Sequence, residues 1–279
     1  MKKWKRSARL VDMTQQLLSQ PHRLIPLSTF AERYQAAKSS ISEDLAIIHE
    51  VFREEGEGML QTVSGATGGI RFIPRVSHEN ALKLSQQICE QLRLPSRILP
   101  GGYLYLSDLL GDTKLVRDIG RLFASVFYDR QVDAVVTVET KGIPLAYATA
   151  GQLGVPVAIV RRDSRITEGS VVTINTVSGS SKRLGTLSLS RRSLPEGSSA
   201  LIIDDFMKAG GTVRGMFDLL QEFHAEVVGV GVMADSRAEE RLVDDYLSLA
   251  TVDEVDVRER RIAVKAGTLF NGSDCDGDD

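Results

Sequence analysis

The chain has 279 residues, 42% of them hydrophobic, enough to fill the core of one large domain or two ordinary ones. No apolar run reaches ~18 residues, "MKKWKRSARL" lacks the apolar centre of a signal peptide, and Cys89 and Cys275 have no zinc-type spacing; the expectation is a globular protein of a reducing cytoplasm, neither exported nor embedded in a membrane. The net charge of -3 hides an asymmetry, because residues 1–75 hold 11 Lys and Arg against 8 Asp and Glu while the remainder holds 23 against 29, so a basic head precedes an acidic body.

The head opens with Lys2, Lys3, Lys5, Arg6 and Arg9, with no acid among them. Such a cluster points to a polyanion such as DNA, against the bland alternative of a solvated terminus. From Leu10 to Leu18 apolar residues recur with a helical period, and Pro21 stops the run. Thr29 with Glu32, and Ser40 with Glu43, have capping-box spacing and predict two further helices, the second burying Ile41, Leu45, Ile48 and Phe52. The tight "QAAKSS" between them makes a helix-turn-helix, and "MLQTV" and "IRFIP", separated by "SGATGG", predict a hairpin. Three helices and a hairpin make a winged helix over residues 1–74. In that arrangement the start of the last helix enters the major groove, which nominates Lys38, Ser39, Ser40 and Ser42 as DNA contacts. For Ser40 the alternative is a capping role.

Beyond residue 75 two amphipathic helices, 78–92 and about 114–128, bracket "LPGGYLYL". Strands "VDAVVTVE", "VPVAIV", "ALIID" and "EVVGVGVMAD" then alternate with helices beginning at Pro144 and Thr212. Near-continuous apolar strands in that alternation predict an α/β domain with a parallel sheet core over residues 75–270, whose ligands bind at the carboxyl edge. The tail "NGSDCDGDD", residues 271–279, reads as acidic and disordered.

Two loops at that edge carry the candidate chemistry. "VETKGIP" offers backbone N–H groups and the Lys141 ammonium to an anion. In "ALIIDDFMKAGGT" the acids Asp204 and Asp205, expected at a solvent-facing strand end, can accept bonds from a ribose diol, and the glycine turn opens a helix whose free N–H groups favour a phosphate. No "GxxxxGK" is present. Gly229, Gly231 and Ala234 fit a loose dinucleotide fingerprint but lie inside a strand, and the four scattered histidines suggest no metal site or triad.

"ALIIDDFMKAGGT" resembles the signature with which type I phosphoribosyltransferases bind 5-phosphoribosyl 1-pyrophosphate (PRPP). "VETKG" resembles their pyrophosphate loop, residues 161–192 their active-site flap, and residues 243–270 their hood over the base. With the winged helix in front, the chain through Phe270 resembles the purine-operon repressor family of Gram-positive bacteria. The resemblance implies that Asp204 and Asp205 hold the ribose hydroxyls. It implies that Lys208, Ala209, Gly210, Gly211 and Thr212 cradle the 5′-phosphate, and that Thr140, Lys141 and Gly142 meet the pyrophosphate. Lys208 stands where hypoxanthine-guanine enzymes carry a proton-handling aspartate, and Ala209 where many carry a threonine. Phe206 replaces an aliphatic residue and could face a purine ring or simply pack; Tyr103 is read as core, with stacking on a base as the alternative.

The expected protein is a homodimeric repressor of purine biosynthesis and transport genes, without catalysis, that binds a double-stranded DNA operator and takes PRPP as inducer. The alternative is an active purine phosphoribosyltransferase with an added domain. Phe206 between two phosphate loops also suggests guanosine tetraphosphate as a competitor of PRPP; whether magnesium accompanies PRPP is left open.

Overall fold

The computed structural model describes residues 4–65, 68–163, 168–177, 184–238 and 240–270. Lys2, Lys3 and the tail from residue 271 lie outside them. The head is a winged helix: α1 (Arg6–Ser19), α2 (Leu27–Tyr34) and α3 (Lys38–Glu54), then β1 (Gly58–Val63) paired antiparallel with β2 (Gly69–Pro74). Met13, Leu17, Phe30, Tyr34, Ile41, Leu45, Ile48 and Phe52 meet in one core with Leu60 and Phe72 of the hairpin, as their helical spacing requires. Asp12 accepts from Arg33, Tyr34 and Gln16, ties α1 to α2, and is held down to about 2 chiefly by the Arg33 hydrogen bond.

Neither expected capping box forms. α2 is preceded by Pro26 and α3 by Ala37, with no side-chain cap at either, so Thr29 and Ser40 lie inside their first turns. The turn between the two helices is set by Gln35, which takes a left-handed conformation at φ 50° and ends α2.

The body is built on a six-stranded sheet of order β12-β11-β10-β9-β5-β6. β5 (Ala134–Val138), β6 (Val157–Val160), β9 (Ser199–Met207), β10 (Glu226–Ser236) and β11 (Leu247–Asp256) run parallel, and β12 (Arg261–Ala266) returns antiparallel. One face is covered by α4 (His78–Leu92), α6 (Thr113–Val126) and α7 (Ile143–Leu153). The other is covered by α8 (Gly211–Gln221) and the antiparallel ribbon of β7 (Val171–Val177) and β8 (Leu184–Ser190). Gly229 and Gly231 serve this packing: a methyl group on either would run into Phe127 or Phe123 of the α6 face.

Residues 247–266 therefore extend the main sheet rather than forming a separate hood. The cover on that side is a small hairpin, β3 (Ile98–Leu99) and β4 (Tyr103–Leu104), turned through Gly101 and Gly102 at positive φ and followed by the short α5 (Ser107–Gly111). The flap-like segment is the β7–β8 ribbon; its residues 164–167 and 178–183 lie outside the described residues.

Head and body meet along α6 and α7. Arg121 of α6 donates to the carbonyls of Gly56 and Arg75, 3.1 Å each, and pairs with Glu57 at 2.6 Å. At the end of α7, Gly154 lies so close to the head that a methyl group there would stand 3.0 Å from the Pro21 carbonyl oxygen. α6 and α7 are in turn pressed together where Gly120 faces Ala148.

Candidate functional site

On the head, Lys38, Ser39 and Ser42 are exposed at the start of α3, and Ser40 is half-buried. The Ser42 hydroxyl donates back to the Lys38 carbonyl at 3.0 Å, which leaves its lone pairs outward. Lys5 is exposed just ahead of α1. Arg6 differs from expectation: its Nε donates to Asp44 Oδ1 at 2.9 Å, and Arg9 takes the other oxygen at 2.8 Å. Asp44 is fully buried on α3, so the acid missing from the local sequence arrives from 38 residues away and offsets one of those charges.

In the body, β9 continues through both acids to Met207, and alternation along the strand gives them different places. Asp204 is only 5% exposed, against the expectation of a solvent-facing position, whereas Asp205 is half-buried. Gly142 explains the burial: its backbone passes directly over Asp204, where a methyl group would collide with Thr137 Oγ1 and lie 2.6 Å from Asp204 Oδ1. That oxygen accepts the Asp205 N–H at 2.9 Å. Burial and then the neighbouring Asp205 charge raise Asp204 well above the usual carboxylate range. Burial also raises Asp205, with the Lys141 ammonium among the opposing influences.

The loop over Asp204 is tethered at its base by Glu139, which accepts from Arg161 Nη1 at 3.0 Å and from the Arg162 N–H at 3.1 Å; the Glu139–Thr140 peptide is cis. Thr140 and Lys141 are exposed beyond it. After β9 the chain turns through Lys208 and Ala209 to Gly210 at φ 84°, a conformation that favours glycine, and α8 starts at Gly211 with no side-chain cap. The first-turn N–H groups beside Thr212 are thus left for an anion.

Tyr103, Lys141, Asp205, Phe206 and Lys208 converge on one cleft of about 450 Å³. Thr140, Gly142, Asp204 and residues 209–212 are on the two flanking loops and behind them rather than in the cleft lining. Tyr103 is 70% exposed, not core, because its two-residue strand carries no second layer above it. Of the remaining lining, Gly102, Leu104, Ser236 and Arg237 escaped the sequence reading, whereas Val252 to Val255 belong to the segment expected to cover the base. For Ser236 and Arg237 the signal was present: they follow "GVMAD" at the carboxyl edge, where ligands of such sheets bind.

Residues 5–74 match the family described as bacterial purine repressor, N-terminal, and residues 107–261 match the phosphoribosyl transferase domain. The chain is 54% identical over 269 residues to the purine biosynthesis transcriptional repressor of Bacillus subtilis (strain 168), covering 96% of this chain and 94% of that one. It is 47% identical over 268 residues to the purine biosynthesis transcriptional activator of Lactococcus lactis subsp. lactis (strain IL1403), covering 96% and 99%. A xanthine phosphoribosyltransferase of Lactococcus lactis subsp. cremoris (strain SK11) is 32% identical over 149 residues, 52% of this chain and 76% of the enzyme.

Proposed function

Because the chain belongs to the bacterial purine repressor family, a group of transcriptional regulators of purine biosynthesis, we propose that it represses purine biosynthesis and transport genes and that PRPP, bound in the cleft, is its inducer. The observation that carries the ligand is the cleft itself. Asp205 shares its lining with Lys141 of one loop and Lys208 of the other, and the Lys141 ammonium acts electrostatically on Asp205, so a ligand that carries both a diol and phosphate groups meets a carboxylate and two ammonium groups in one cleft. A magnesium ion entering with the pyrophosphate would be shared between ligand oxygens and at most one or two carboxylates, as that ion commonly is.

On DNA, two heads of a homodimer would present two α3 helices to successive major-groove segments, with Lys5, Lys38, Ser39 and Ser42 on phosphates or base edges. Relatives named repressor and activator both match nearly the whole of this chain, so similarity over its length does not by itself fix the sign of regulation. Repression follows here the more similar of the two. Lys38→Ala should weaken operator binding severalfold and lower the slope of log affinity against log salt by about 1, since one phosphate contact releases about one counterion. An unchanged slope would remove Lys38 from the interface.

The domain senses rather than catalyses on this reading, because Lys208 carries a cation where hypoxanthine-guanine phosphoribosyltransferases carry a proton-handling carboxylate. The enzyme alternative is tested directly: rapid formation of a nucleotide from PRPP and any purine base by the purified protein would replace the sensor reading. A titration of operator DNA with and without PRPP is the companion measurement, and release of DNA is the expected result. A tenfold loss of DNA affinity needs ~1.4 kcal/mol of coupling.

Phe206 lines the cleft between the two loops, which fits guanosine tetraphosphate as a competitor that blocks the inducer. Its guanine would pack on Phe206 and its two pyrophosphates would reach Lys141 and Lys208. Stacking of a base on an aromatic ring contributes ~1 to 3 kcal/mol, so Phe206→Ala should weaken the tetraphosphate roughly tenfold or more and PRPP, which has no base, far less. Calorimetry that found equal losses for the two ligands would refute this mode.

A further inference from the structure

Behind the Lys208–Thr212 loop lies a segment that touches no candidate ligand group yet holds that loop in place. The Leu242 N–H donates to the Ala209 carbonyl at 3.0 Å, and buried Val243 packs against Gly210, 3.4 Å from where a methyl group would stand. In a trans peptide the carbonyl and the following N–H point in opposite directions. A bond that pulls the Ala209 carbonyl toward Leu242 therefore turns the Gly210 N–H away from it, toward the side on which an anion meets the loop.

The segment has no regular secondary structure of its own and is pinned through Arg241. One guanidinium nitrogen of Arg241 donates to Asp235 Oδ2 at 2.6 Å and to the Ser236 carbonyl at 3.0 Å, and the group lies 5.0 Å from the centre of the Tyr246 ring. Asp235 is completely buried and is itself fixed from two sides, by the Tyr246 hydroxyl at 2.8 Å and the Thr251 hydroxyl at 2.7 Å. It is the penultimate residue of β10, immediately before Ser236 and Arg237, which line the cleft. One buried carboxylate thus sets both the cleft wall at the end of β10 and, through Arg241, the backing of the phosphate loop.

We infer that Arg241, gripped by Asp235, is a positioning residue for the binding of a sugar 5′-phosphate: it holds residues 241–243 where they orient the Gly210 N–H, without touching the ligand. The inference rests on the reading of residues 208–212 as the 5′-phosphate loop. A merely structural ion pair would weaken every ligand alike, whereas an orienting one acts on the 5′-phosphate end and spares the pyrophosphate end at residues 140–142.

The full-length protein should be titrated with ribose 5-phosphate, inorganic pyrophosphate and PRPP by calorimetry, as wild type, Arg241→Gln, Arg241→Lys and Leu242→Pro. Arg241→Gln should weaken ribose 5-phosphate and PRPP by about tenfold, the size of one misplaced hydrogen bond to a charged group, and leave pyrophosphate within about twofold. Arg241→Lys, which keeps the charge and can still reach Asp235, should recover part of the loss. Leu242→Pro removes the donor itself at a side chain that is 47% exposed, replaces no side chain of the buried cluster, and should reproduce the selective loss even if Arg241→Gln folds poorly. Equal weakening of all three ligands, or no change in ribose 5-phosphate binding in either Arg241→Gln or Leu242→Pro, overturns the positioning role alone. A wild type that binds pyrophosphate and PRPP but whose 208–212 amides do not respond to ribose 5-phosphate overturns the loop assignment, and the positioning role with it.

Discussion

Asp204→Asn should yield a protein that is more stable at neutral pH and a poorer sensor of PRPP. Asp204 lies beneath the Gly142 backbone, and its proton is held more tightly in the folded chain than in the unfolded one because burial and Asp205 disfavour the carboxylate. A raised folded-state value means that folding gains from this group below the ordinary carboxylate range, and that the gain drains away as pH rises toward the folded value. Asparagine has no proton to lose, keeps an oxygen for the Asp205 N–H, and should flatten that decline; a gain of ~0.5 to 2 kcal/mol near pH 7 is in the range of other relieved functional sites. Asp205→Asn, at the half-buried position in the cleft, should shift stability in the same direction but by less, because burial raises this carboxyl less than it raises Asp204. It should cost PRPP about 1.5 to 3 kcal/mol per hydrogen bond lost from a charged acceptor, roughly 10- to 150-fold. Thermal melts from pH 4 to 8 beside PRPP titrations check both, and an Asp204→Asn protein less stable than wild type at pH 7 would refute the account of the buried acid.

Asp44→Ala should unfold or severely loosen the head while leaving the body able to bind its ligand. The carboxylate is buried on α3 and pairs with the exposed Arg6 and the largely buried Arg9 of α1, cancelling one of their two charges. Removing one partner of a buried pair leaves an uncompensated charge and costs about 3 kcal/mol or more, a large share of what a 70-residue module can have. The direction of the DNA effect separates two accounts. On charge alone, deleting an acid beside Lys5 and Arg6 would strengthen DNA binding. If the pair holds α1 on α3, binding falls and amide exchange through α1 and α3 accelerates, with PRPP affinity unchanged. Stronger DNA binding by a head that still protects its amides would show that Asp44 tunes charge rather than holding the fold.

What the sequence revealed followed from local periodicity. The 78–92 helix emerges with the bounds its apolar spacing gives, capped by Ser77, and the strands around Val135, Ile202 and Val232 are buried as continuous apolar runs should be. The misreadings have a common source in contacts distant along the chain. Arg6 looked free because its acid is 38 residues away, and Asp204 looked exposed because the backbone that covers it comes from Gly142. The capping boxes failed for a different reason: a Ser or Thr three residues before Glu is equally at home inside a first turn, and Pro26 and Ala37 begin the helices earlier. The Arg241–Asp235 cluster was not legible at all, since no periodicity marks a loop arginine that folds back onto the strand before it.

The helix α7 has a mechanical meaning that its packing alone does not convey. It begins where Gly142 covers Asp204 and ends where Gly154 abuts Pro21, so its 11 residues make a strut of roughly 16 Å with one foot on the ligand loop and the other on the turn between α1 and α2. A hydrogen-bonded helix shortens or bends very little, so a push at one foot arrives at the other nearly whole. Whatever coupling the strut carries between the proposed cleft ligand and DNA must act with the same free energy in both directions.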